Sequence, residues 1–82
     1  MVKVVYFASI RERLGCDQEQ LELAAGSTVA ELLALLRSRG APWDGVLDGP
    51  ALLLAVNQEM AGLEHRLQAD DEVAFFPPVT GG

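Results

Sequence analysis

One stretch of this chain has the length and pattern of a full helix, and it limits what the rest can be. In Thr28-Val29-Ala30-Glu31 a hydroxyl and a carboxylate stand three residues apart, the spacing of a capping box. The Thr28 hydroxyl is expected to serve the Glu31 amide, and the Glu31 carboxylate to reach back to the Thr28 amide. Val29, Leu32, Leu33 and Leu36 follow at i, i+3, i+4 and i+7 and make a single apolar stripe. Arg37 and Arg39 suit the negative end of the helix dipole, and Gly40 suits the left-handed position beyond it. Such a stripe cannot bury itself. A chain of 82 residues has room for one core, so the remaining segments must supply a sheet for this helix to cover.

They read as short strands. Met1 to Ala8 is a first strand, with Val2, Val4 and Tyr6 toward the core and Lys3, Val5 and Phe7 on the more exposed face. Ser9 is expected to cap a short helical turn through Ile10 to Leu14, which Gly15 ends. Asp17 to Leu23 finishes in the alternation of a half-buried strand, and Ala25-Gly26 breaks it. After the helix, residues 41–50 carry turn signals at Pro42, Asp44-Gly45 and Asp48-Gly49-Pro50, with Trp43 expected to plug the core beside the helix end. Ala51 to Val56 is apolar throughout and reads as a central strand. Asn57-Gln58-Glu59 turns into a weak strand around Met60, residues 62–67 have no clear pattern, and Gln68 to Asp71 is a polar, solvated turn. A hairpin-like first pair, a helical crossover and a last strand returning beside the first describe an α+β roll. In it a mixed sheet wraps one main helix, the β-grasp or ubiquitin-like arrangement, as a single domain over residues 1–82.

The last strand, Val73 to Phe76, runs into Pro77-Pro78. Proline lacks the N–H that a ladder needs and fixes φ, so pairing stops there and the chain leaves extended. Val79-Thr80-Gly81-Gly82 has nothing to hold it to its own domain, and the six residues from Pro77 onward span about 20 Å when extended. A frayed end is one reading of two closing glycines. The other is a reactive end, because glycines can thread a narrow channel and place a terminal carboxylate in another protein's site. The order strand, proline stop, glycines favours the reactive end and a flexible tail over residues 77–82.

Other chemistry is scarce. Net charge is −6, and the six basic residues are scattered, so the electrostatic footprint of nucleic-acid binding is missing. No apolar run reaches the roughly 20 residues of a membrane-spanning helix. With no cleavage site after the first strand and a single cysteine, a cytoplasmic location is expected. Cys16 and His65 have no second ligand at metal spacing, so no metal site is expected and both read as incidental. No phosphate-binding glycine loop occurs, and the chain is expected to bind no cofactor. The terminal carboxylate remains. It can attack the α-phosphate of ATP to give an acyl-adenylate, and another protein must bind that ATP.

A docking surface is also legible. Glu72 should face water, so Ala74 and Phe76 share its side of the last strand while Val73 and Phe75 point inward. If the first and last strands are neighbours, Phe7 and Phe76 make an exposed apolar patch at the root of the tail, with Met60 a third member.

The run Glu72-Val73-Ala74-Phe75-Phe76-Pro77-Pro78-Val79-Thr80-Gly81-Gly82 resembles the closing signature of molybdopterin synthase small subunits, the MoaD-type ubiquitin-like sulfur carriers. Lys3 to Ala8 with Arg11-Glu12 and Gly15 is similar too, as is Leu54-Ala55-Val56-Asn57-Gln58, so the likeness runs the whole length. It implies that a ubiquitin-activating-like adenylyltransferase activates Gly82 with ATP and that a sulfur donor turns it into a thiocarboxylate. The tail would then enter the large, catalytic subunit and give its sulfur to cyclic pyranopterin monophosphate, within a heterotetramer of two small and two large subunits. Gly81 and Gly82 would be the reactive end. Phe7, Met60 and Phe76 would form the docking surface, with Pro77, Pro78, Val79 and Thr80 as the inserted arm. Two alternatives share the diglycine. The thiamine-pathway sulfur carrier tends to be shorter and lacks the Phe-Phe-Pro-Pro run. A ubiquitin-like protein modifier joins its glycine to target lysines, but ubiquitin places arginines where Val79-Thr80 stand here.

Overall fold

The parallel pairing of β1 (Val2–Tyr6) with β5 (Glu72–Phe76) lies at the middle of the sheet and organises everything else in the computed structural model. The structure describes residues 1–48 and 52–78. β2 (Gln18–Leu21) pairs antiparallel with β1, and β3 (Leu53–Val56) pairs antiparallel with β5. β4 (Glu59–Met60) closes the far side, giving the order β2-β1-β5-β3-β4. This is the expected β-grasp roll. β3 is an inner strand, but the sheet's midline belongs to β5; Ala51, placed in that strand on its composition, lies outside the described residues. Asn57 and Gln58 both have φ in the left-handed region (51° and 71°), as a two-residue hairpin turn between Val56 and Glu59 requires.

α2 (Val29–Arg37) covers the inner face, burying Val29, Leu32 and Leu36 completely against Val4, Tyr6, Val73 and Phe75. Its start shows why residues 63–67 have no strand or helix pattern of their own. The Val29 and Ala30 amides have no partner within the helix and donate to the His65 and Leu63 carbonyls at 3.0 and 2.9 Å. The Glu31 amide donates to the Thr28 hydroxyl at 3.2 Å, as the capping spacing predicts. The Glu31 carboxylate, however, meets the Thr28 hydroxyl at 3.4 Å rather than the Thr28 amide. Gly40 is left-handed, with φ 88°, but the helix has already closed at Ser38 in a right-handed cap, so the glycine turns the exit one step later than expected.

Two other local expectations need correction. α1 (Ala8–Leu14) begins before Ser9: Phe7 occupies the N-cap place with extended backbone, and its carbonyl accepts from the Ile10 and Arg11 amides. Ser9 therefore lies inside the first turn and caps nothing. Gly15 does end this helix, at φ 69°. The turn-rich stretch after α2 contains a short helix, α3 (Trp43–Val46), which drives Val46 and Leu47 into the core. Trp43 is only half-buried, standing edge-on to Tyr6 with ring centroids 5.6 Å apart. Among the described residues no helix is long and apolar enough to cross a membrane.

Candidate docking face and tail root

One side of the sheet is packed by α2; the other carries a band of apolar side chains. Lys3, Val5 and then Phe7 alternate outward from β1, as expected. On β5 the outward positions are Glu72, Ala74 and Phe76. Ala74 is nonetheless buried, because a methyl group between Val5 and Ala55 on the flanking strands is covered by its neighbours. The register brings Phe7 and Phe76 together: their rings stack at 4.8 Å between centroids and 6° from parallel, with Phe7 38 % exposed. Met60, 67 % exposed, is on the same face but does not join that stack. It opposes Ala55, which opposes Ala74, so it stands two strands away and one row back. Leu53 links the two places. It faces Phe76 across β3 and β5 and lines a shallow apolar cleft with Met60. Leu53 was missed in the sequence because its apolar run shows no alternation; the β3–β5 register reveals it.

Pro77 and Pro78 leave β5 directly beside this stack. Pro77 is half-buried, and both prolines line a groove with Ser9 and Arg13 of α1 and Val46 of α3. Val79, Thr80, Gly81 and Gly82 lie outside the described residues. His65 is exposed and Cys16 half-buried, and no group of three or more His, Cys, Asp or Glu residues is placed to hold a metal ion among the described residues. The acidic turn is built rather than merely wet. The Asp71 carboxylate accepts from the Gln68 amide at 2.8 Å and from Asn57 at 3.0 Å, and these bonds hold its pKa below the usual value.

Behind the sheet a polar cluster ties β2 to the end of α2. Arg39 donates both terminal nitrogens to Glu19 at 2.8 and 2.9 Å, while the Tyr6 hydroxyl donates to the same carboxylate at 2.8 Å. The Arg39 guanidinium also lies 4.4 Å over the Trp43 ring. Burial, then the bond to Glu19, raises the Tyr6 pKa; the Arg39 bonds hold that of Glu19 down. A carboxyl whose folded pKa is depressed stabilises the fold above its unfolded pKa of about 4.3 and loses that contribution as pH falls through the folded value. Glu19→Gln is therefore expected to cost about 1–2 kcal/mol at neutral pH. Melting curves of both proteins from neutral to acidic pH should show that gap closing below about pH 4. A gap independent of pH would assign the loss to packing instead.

An open sheet with an apolar face, and a middle strand that Pro77 and Pro78 end beside an aromatic stack, defines a small ubiquitin-like β-grasp domain. The chain belongs to the ThiS family, whose profile matches residues 4–82. It is 43 % identical over 82 residues to the molybdopterin synthase sulfur carrier subunit of Escherichia coli K12, covering all of both chains. Among solved structures it is similar to small archaeal modifier protein 1 of Methanosarcina acetivorans, with TM-score 0.81, 27 % identity and coverage of 99 % of this chain and 95 % of that one. It is also similar to a chain in the complex of subunits 1 and 2 of the molybdopterin-converting factor of Helicobacter pylori, with TM-score 0.67, 25 % identity and coverage of 99 % and 97 %.

Proposed function

We propose that this chain is the sulfur carrier subunit of a molybdopterin synthase. The full-length identity to the Escherichia coli subunit carries the reading, and the Phe7–Phe76 stack at the tail root supports it, because it puts an apolar grip where the arm leaves the domain. An adenylyltransferase docks on this face and attaches the Gly82 carboxylate to AMP from ATP. A sulfur donor then replaces AMP, leaving a thiocarboxylate. The large subunit takes the same arm through Pro77, Pro78, Val79, Thr80 and Gly81, and the Gly82 sulfur attacks cyclic pyranopterin monophosphate. Two deliveries complete the dithiolene that holds molybdenum. The carrier supplies reach and a nucleophilic sulfur; ATP and pterin are bound by its cytoplasmic partners, and catalysis belongs to them.

The likeness to an archaeal modifier favours a second reading, conjugation of Gly82 to target lysines, and the diglycine shared with the thiamine-pathway sulfur carrier keeps thiamine synthesis as a third. One experiment separates the three. The chain carrying a Gly82 thiocarboxylate is offered separately to the large subunit with its pterin precursor and to thiazole synthase with its substrates, with intact mass reporting loss of sulfur. Consumption only in the first mixture, with a dithiolene product, is expected. Consumption only in the second assigns the chain to thiamine synthesis, and consumption in neither, with conjugate ladders in lysate blots, assigns it to modification.

A further inference from the structure

We infer that Ala8 is a positioning residue: its left-handed backbone sets the Phe7 ring against Phe76 in the free chain, so the open face meets its partner already formed. The step from ring placement to docking rests on the carrier reading proposed above; the placement itself does not.

Among the described residues four other than glycine have φ in the left-handed region: Ala8 at 51°, Asn57, Gln58 and Asp70. An L residue there brings its Cβ close to a backbone oxygen, so the conformation costs free energy and persists only where surrounding contacts hold it. Three of the four follow from local turns. Asn57 and Gln58 form the hairpin turn between β3 and β4, and Asp70, of a type that tolerates this region, sits in the turn closed by the Asp71 amide on the Gln68 carbonyl. Ala8 is in no hairpin and has no polar group to bond locally. Its methyl group is exposed, so side-chain packing does not hold it there either.

What holds it lies on either side. The Phe7 amide donates to the Phe75 carbonyl at 3.2 Å, which extends the β1–β5 pairing one residue past Tyr6. The Phe7 carbonyl accepts from the Ile10 and Arg11 amides at 3.1 and 3.3 Å, which starts α1, and Ile10 is buried in the core. Phe7 is thus still bonded to the sheet while it already caps a helix. Alternation would carry residue 8 to the inner face after Tyr6; the left-handed turn takes the chain off the sheet instead, and Ala8 stays exposed. Relaxing Ala8 to negative φ would break one of the two sets of bonds on Phe7. Either loss frees the ring that stacks on Phe76 at the root of the arm. A ring already held spares the ordering cost that an interface otherwise bears.

The test compares the full wild-type chain with Ala8→Val, Ala8→Asn, Phe7→Ala and the Phe7→Ala/Ala8→Val double variant. Valine and asparagine are both larger than alanine, but only asparagine enters the left-handed region readily. In the free chains, NMR backbone couplings give the sign of φ at residue 8, and nuclear Overhauser contacts report whether the two rings touch. Calorimetry with the molybdopterin synthase large subunit gives affinity. Wild type and Ala8→Asn are expected to show positive φ, ring contacts and affinities equal within about twofold. Ala8→Val should lose the ring contacts and bind about three- to tenfold more weakly, the cost of ordering one side chain. In the Phe7→Ala background the same valine should cost less than about twofold, because the ring it displaces is gone. Full additivity of the two losses would overturn the inference, as would ring contacts that survive in Ala8→Val, an Ala8→Asn chain that behaves like Ala8→Val, or a negative φ in wild type. A valine chain that does not fold would overturn it too, since the turn would then hold the fold and not the ring. Failure of wild type to bind the large subunit would count against the carrier reading alone, because ring placement is read without any partner.

Discussion

Deleting Gly82 is expected to abolish sulfur delivery while leaving the melting temperature where it was. The truncated chain still ends in a glycine carboxylate, so the reacting group is chemically unchanged. What changes is reach: the carbonyl carbon retreats by about 3.5 Å, the span of one extended residue. The arm cannot recover that length by sliding, because Pro77 and Pro78 end the β5 ladder and the Phe7–Phe76 stack fixes where the arm begins. A misplacement of about 1 Å at a reacting centre can cost about 10²-fold, so the loss should exceed about a hundredfold. Fold stability should move by less than about 0.5 kcal/mol, since a glycine has no side chain to pack. Intact mass after incubation with the activating enzyme, ATP and sulfide reads the first quantity, and thermal melting reads the second. Normal thiocarboxylate formation and transfer by the truncated chain would remove Gly82 from the proposed chemistry.

Elements whose pattern is local were legible in the sequence. α2 could be read from the Thr28 cap and the Val29-Leu32-Leu33-Leu36 stripe, because capping and helical periodicity involve residues three and four apart. β1 could be read from its alternation, and the Phe7–Phe76 patch from alternation on two strands once these were taken as neighbours. What was not legible depends on contacts distant in the chain. Glu19 meets Arg39 across 20 residues and Tyr6 across 13, and no local spacing marks such a pair. α3 hides behind Pro42 and Asp44-Gly45, which are turn signals on their own and become a helical turn because Val46 and Leu47 find the core. Residues 63–65 look patternless because their backbone, not their side chains, serves the fold, supplying carbonyls to the first amides of α2. The start of α1 slipped for a related reason: the stack holds the Phe7 side chain while its backbone caps the helix, so Ser9 is not needed.

Adjacent phenylalanines with opposite duties give the second large expected effect. Phe75 is fully buried and stacks on Tyr6 at 6.2 Å, whereas Phe76 points to the open face. Phe75→Ala leaves a cavity in the middle strand and should cost about 3–5 kcal/mol. A domain of this size holds about 4–12 kcal/mol in total. At about 4–8 °C for each kcal/mol, the melting temperature should fall by at least about 12 °C, and weak binding by this variant would follow from unfolding. Phe76→Ala removes the ring stacked on Phe7, and that contact is worth only about 0.5–1.5 kcal/mol to the fold. On the proposed reading the same ring is a central aromatic anchor for the partner, and truncating such an anchor is expected to cost about 2 kcal/mol or more, about a 30-fold loss of affinity. Melting curves and calorimetric titration of the large subunit with each variant read the two effects separately. The opposite outcome for Phe76, a large loss of thermal stability with affinity intact, would mean that the stack holds the fold together and that the partner grips elsewhere. The face would then be reduced to Leu53 and Met60, and the arm would leave the domain without an aromatic anchor at its root.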